Sequence, residues 1–140
     1  MNRYISQLTR TEKDILEFLW DYGSPLSAAE IVSLYPNRTW KASYIHLALQ
    51  SMLKKGVLRI EGFKPTCKNY ARTFAPAITK EVFLVQEMIR DLQLKKEHIY
   101  KLLVYLINSA SNLNTITSMQ ELCKKRKIQL RLETKEENTQ

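Results

Sequence analysis

Two Ser/Thr-x-x-Glu patterns standing eighteen residues apart constrain this chain more than any other feature. Thr9-Arg10-Thr11-Glu12 and Ser27-Ala28-Ala29-Glu30 each read as a capping box, in which side chain and backbone satisfy one another's free N–H groups at a helix start. The first helix must therefore be short. Ile15, Leu16 and Leu19 give it an apolar stripe, and Gly23 and Pro25 stop it. The second begins at once, with Leu26 and Ile31 placed as a hydrophobic staple, and ends near Tyr35-Pro36. A third helical pattern runs from about Lys41 to Lys55 and meets Gly56, a natural left-handed cap. Ile45, Leu49, Met52 and Leu53 recur at helical spacing and form its buried face. Ser43, His46, Leu47, Gln50 and Lys54 share the opposite face, where Leu47 is the apolar exception.

The period then changes. Val57 to Gly62 and Asn69 to Phe74 alternate enough to be a pair of strands, with Phe63 to Lys68 as a basic turn between them. Three compact helices followed by a hairpin is the order of a winged helix-turn-helix, so the expected fold is mainly α with a small β-hairpin. Pro76 marks a boundary, which assigns 1–76 to a winged-helix domain. Helical patterns follow over Thr79–Leu92, Glu97–Ala110 and Asn114 to about Ile128, with Asn114 as the N-cap of the last. They define a helical region over 77–130. Residues 131–140 offer almost nothing to bury and read as a disordered tail. Leu102, Leu103, Leu106, Ile107, Met119 and Leu122 are too many apolar residues for solvated helices. They are expected to line a subunit interface; the alternative is packing on the first domain of the same chain.

Charge supplies the functional clue. The net charge of +8 is concentrated between Pro36 and Arg72, where Arg38, Lys41, Lys54, Lys55, Arg59, Lys64, Lys68 and Arg72 face a single acid, Glu61. A local field of this kind suits a polyanion; the plainer alternative is a solvated basic face. If the third helix enters a DNA major groove, Ser43, Tyr44, His46, Leu47 and Gln50 are the candidates for base contacts. Lys41, Lys54, Lys55, Lys64, Lys68 and Arg72 are the candidates for phosphates. Competing readings place Leu47 against the wing or the first helix, Tyr44 on phosphate or the second helix, and Lys54 and Lys55 at a solvated helix end. Trp20 and Trp40 read as packing residues.

Other function classes find less support. Two cysteines make neither a disulfide framework nor a zinc spacing. There is no Ser-His-Asp set, no HExxH, no phosphate-cradling glycine loop and no paired carboxylates on one face, so no enzyme, cofactor or metal site is expected. Met1 to Ser6 holds no apolar leader, and the apolar run Leu102–Ile107 is far short of the roughly 20 residues a membrane span needs. The expected location is cytoplasmic. The main alternative to a DNA-binding regulator is a winged-helix protein-interaction module that never touches bases.

Leu8-Thr9-Arg10-Thr11-Glu12, Ile15-Leu16, Leu19-Trp20 and Ser27-Ala28-Ala29-Glu30-Ile31, continued by Trp40, Leu53-Lys54-Lys55-Gly56-Val57-Leu58 and Tyr70, resemble the penicillinase-repressor family of bacterial winged-helix regulators. The likeness covers Leu8 to Ala75 in residues and the C-terminal third in pattern. It implies a homodimeric repressor on a pseudo-palindromic operator in double-stranded DNA, with the C-terminal helices holding the dimer. It also implies a further partner, a membrane-bound sensor protease that cleaves the best-known members at an Asn-Phe pair in those helices. Here Leu106-Ile107 stands at that place, and the neighbouring Asn108-Ser109 does not replace the pair, which argues against that route. Copper-responsive members carry closely spaced cysteines, whereas Cys123 stands alone. Tyr44, His46 and Leu47 occupy positions where the family often has Thr or Arg, which implies a different operator.

Overall fold

A computed structural model describes residues 7–137. The expected absence of a leader at Met1–Ser6 and the last three residues of the expected tail lie outside the described residues. The chain divides into two compact units after Gln93. The first contains α1 (Arg10–Tyr22), β1 (Leu26–Ser27), α2 (Ala28–Leu34), a 3-10 turn (Ala42–Tyr44), α3 (Ile45–Lys54), β2 (Leu58–Pro65), β3 (Tyr70–Pro76) and α4 (Lys80–Asp91). The second contains α5 (Lys96–Ser109) and α6 (Leu113–Glu137).

Both capping boxes form. The Glu12 N–H donates to Thr9 Oγ1 at 3.3 Å while the Thr9 N–H donates to Glu12 Oε2 at 2.8 Å. The Glu30 and Ser27 pair repeats this at 3.3 and 2.7 Å. Gly23 ends α1 at φ 77° and Gly56 follows α3 at φ 74°, left-handed conformations that cost glycine little. Ile15, Leu16 and Leu19 of α1 meet Leu26, Ile31, Ile45, Leu49, Met52 and Val57 in one buried cluster, with Leu53 at its edge. The result is the winged helix-turn-helix expected from the sequence.

The sheet has three strands in the order β1-β3-β2, not two. Leu26 and Ser27 pair with Phe74 and Thr73, so the staple and cap residues of α2 also form a strand too short to show a period. The wing is longer than expected. Phe63, Lys64 and Pro65 belong to β2, opposite Arg72, Ala71 and Tyr70. The turn shrinks to Thr66–Asn69, closed by the Thr66 N–H on the Asn69 carbonyl at 2.6 Å. A register shift between Ile60 and Gly62 leaves Glu61 as an extra residue on β2, a bulge that strengthens the local twist.

The sequence reading groups α4 with the C-terminal helices, but α4 packs on the winged-helix core instead. Phe83 is buried there, and its ring lies 5.5 Å from that of Trp20. The Trp20 indole N–H donates to the Ile78 carbonyl at 2.9 Å, and the ion pairs Lys80–Glu17 and Lys13–Glu87 tie α4 to α1. Val82, Val85 and Leu92, its expected inward stripe, are exposed. In the second unit, Asn112 rather than Asn114 caps α6, its Oδ1 accepting the Asn114 N–H at 2.8 Å. That helix continues to Glu137, so the described part of the expected tail is helical. Its exposed Lys, Arg, Leu, Gln and Glu residues are good helix formers, and Arg126 bridges to Glu133 at 3.0 Å. Among the described residues, no helix is long and apolar enough to cross a membrane.

Candidate nucleic-acid interface

The register of α3 decides which side chains are presented outward. Ile45, Ala48, Leu49 and Met52 are buried, which turns Ser43, His46, Leu47, Gln50 and Lys54 to the surface. Four of the five expected base-contacting residues therefore share one exposed ridge. Tyr44, the fifth, is half-buried and packs against the core, so packing is its main role. Leu47 is 62% exposed, an apolar side chain at the middle of the ridge.

The ridge separates two depressions. One, of about 510 Å³, is lined by Leu47, Lys41, Ser43, Tyr44, Trp40 and Thr11 of the first turn of α1. The other, of about 460 Å³, lies between α2, α3 and β3 and brings His46 beside Arg72. Neither the 3-10 turn nor α3 has a side-chain hydrogen bond capping its start. The free N–H groups there give this end of the helix a partial positive charge.

The cations sort into three groups. Lys41, Lys54, Lys68 and Arg72 are exposed and form no ion pair among the described residues. Lys64 bonds Glu30 at 2.9 Å, but both side chains are largely exposed, and such a pair contributes little that a phosphate could not replace. The Glu30 carboxyl is held below the ordinary value first by the Ser27 backbone N–H and then by Lys64. Lys55 is different and corrects the expectation of a phosphate contact. Its Nζ lies 2.6 Å from Oε2 of Glu12, a carboxylate only 1% exposed. Burial pushes the Glu12 pKa up, but bonds from Lys55, Ser51 and the Thr9 backbone together pull it below the ordinary value. Lys55 thus fastens the end of α3 to the start of α1.

Two further arginines have structural partners. Arg59 bonds Glu61 and the Pro76 carbonyl, both at 2.5 Å. Arg38 donates to the Val32 carbonyl at 2.8 Å and lies over the Trp40 ring at 5.8 Å, closing the loop between α2 and α3. The wing also presents Phe63 and Tyr70 at 66% and 74% exposure, although the sequence reading gave neither a binding role. In the second unit Leu102, Leu103, Leu106, Ile107 and Leu122 are exposed and Met119 is half-buried. No residue of α5 is buried.

A family model described as penicillinase repressor matches residues 8–124. No curated protein matches the chain.

Proposed function

The chain belongs to the penicillinase repressor family of DNA-binding transcriptional repressors, and from that premise we propose that it acts as a homodimer on a pseudo-palindromic operator. Helix α3 enters the major groove, whose edges distinguish all four base pairs and whose width admits a helix. Ser43, His46, Leu47 and Gln50 meet the bases: Gln50 can pair its amide with adenine, and Leu47 can pack on a thymine methyl. Lys41, Lys54, Lys64, Lys68 and Arg72 meet phosphates, which set affinity and register but not sequence choice. The observation that carries this reading is the exposed ridge of α3 with unpaired cations on either side of it.

A single ridge reads few base pairs, and two copies double the contact at half-sites about one helical turn apart. The exposed leucines of α5, with Met119 and Leu122 of α6, supply the surface for that pairing.

Binding to duplexes selected by the chain from a random pool tests the proposal. The affinity should fall linearly with salt on a log–log plot, and Arg72→Ala should flatten the slope by about 0.9 per protomer because one phosphate contact is lost. A salt-independent affinity would exclude the proposal. Replacing His46 and Gln50 by Ala should leave that slope unchanged while erasing about 1–3 kcal/mol of preference at the contacted base pairs. Competition between selected and scrambled duplexes measures this, and an unaltered preference would assign base reading to other residues.

A further inference from the structure

Phe63 and Tyr70 have no part in gripping phosphates, yet they are among the most exposed aromatic side chains of the first unit. Single exposed apolar residues are ordinary; the strand register makes these two different. Phe63 stands opposite Arg72, and Pro65 stands opposite Tyr70. Cross-strand partners share a side, and residues two apart along a strand share it too. Phe63, Pro65, Tyr70 and Arg72 therefore form one face of the wing. The next residue of β3 on that side, Phe74, is buried in the core.

This face runs without interruption from the foot of α3 to the wing turn. At its inner end Arg72 and Phe74 border the same depression as His46. Tyr70 lies about 7 Å further out, two residues of strand rise away. Lys64 occupies the opposite side of β2, and Lys68 sits in the turn. No acidic residue occurs between Gly62 and Arg72. An apolar and aromatic strip ringed by cations, continuous with the ridge of α3, complements a duplex rather than an apolar protein partner.

We propose that this face seats in the minor groove beside the major groove that α3 occupies. Phe63 and Tyr70, with Pro65, lie against sugars and base edges, and Arg72 holds the intervening phosphate strand. Apolar wedges of this type are common in minor-groove contacts. The proposal rests on the DNA-binding reading above and adds a sequence preference to it. In the minor groove only guanine presents an amino donor. An aromatic strip gives that donor no acceptor, and covering it unpaired is unfavourable. The pairs under the wing should therefore be A·T.

The test uses the full-length chain and a selected duplex in which the pairs outside the α3 contact are changed from A·T to G·C or to inosine·C. Inosine·C has the minor-groove edge of A·T, without the amino group, and the major-groove edge of G·C. The expected result is an affinity about 5–10-fold lower on G·C flanks that is regained on inosine·C. Phe63→Ser/Tyr70→Ser should bind A·T flanks about tenfold more weakly and cease to distinguish the three duplexes, as expected for loss of aromatic contacts. Its salt slope should be unchanged, because no charge is removed. Both side chains are exposed, so the variant should keep the wild-type melting curve. A wild-type chain indifferent to the flanks would overturn the proposal, as would a double variant retaining both affinity and preference. Failure of the wild-type chain to bind any duplex at low salt would instead overturn the DNA-binding reading itself.

Discussion

Replacing Lys55 by Met is expected to destabilise the first unit by about 3 kcal/mol, the usual cost of leaving one member of a buried ion pair behind. The bond it removes spans forty-three residues and joins α1 to the end of α3 at 2.6 Å. Glu12 would keep the Thr9 backbone bond and the Ser51 bond, but its charge would remain buried without a counter-ion. For a domain of this size the melting midpoint should fall by roughly 10–20 °C. The pH dependence should change as well. In the native chain the Glu12 pKa is lowered from 4.5. Its contribution to stability is present above that value and is lost as pH falls through the depressed folded value. Without Lys55 the burial effect dominates and the folded value rises above the unfolded one. Protonation then favours the folded state, so the variant should regain stability as the pH is lowered through the raised value. Thermal melts of both chains between pH 3 and 7 measure this. A double variant that also carries Glu12→Gln should recover most of the loss, since the amide oxygen can still accept from Thr9. An unchanged midpoint and a parallel pH profile in Lys55→Met would show that the pair is incidental.

The two roles of Glu12 show where sequence reasoning reaches its limit. The capping-box role is local, contained in four residues, and both boxes form as expected. The ion pair with Lys55 depends on how α3 docks on α1, and nothing within reach of either residue along the chain announces it. Lys55 therefore read as one more member of the basic segment. The outward ridge of α3 was legible because burial of Ile45, Leu49 and Met52 follows a helical period, and that period leaves Leu47 outside. Helix α4 is ambiguous in the same terms. It carries both Phe83 and the stripe Val82, Val85 and Leu92, and only the position of Trp20 and Ile78 selects Phe83 as the buried side. Strand β1 has two residues and so has no period to read. Phe63 was hidden because Lys64 and Pro65 beside it resemble a turn; proline is tolerated there because Pro65 ends the strand.

Charging the exposed surface of α5 should have the largest effect on operator binding. Leu103 and Leu106 are 52% and 55% exposed. In the proposed dimer they lie in the interface, and Leu103→Glu/Leu106→Glu would place four like charges there in place of leucines. Desolvating these charges without partners is far more costly than the apolar contact is favourable. The native chain should have the mass of a dimer in solution, and the variant that of a monomer at micromolar concentration. Because α5 has no buried residue, the variant should keep the melting transition of the first unit. The loss of affinity then follows from linkage. In a dimer, binding of one half-site places the second α3 at a high effective concentration over the other, which can raise avidity by 10²–10⁴-fold. The monomer loses this advantage without losing any contact within a half-site, so operator affinity should fall by at least about 10²-fold. Binding to a single half-site should stay within a factor of about two, a difference too small to represent one lost contact. Comparing full operator with half-site by fluorescence anisotropy separates the two effects. A native chain that is monomeric yet binds the full operator as tightly as the charged variant would exclude the dimer and, with it, the two-fold symmetry assigned to the operator.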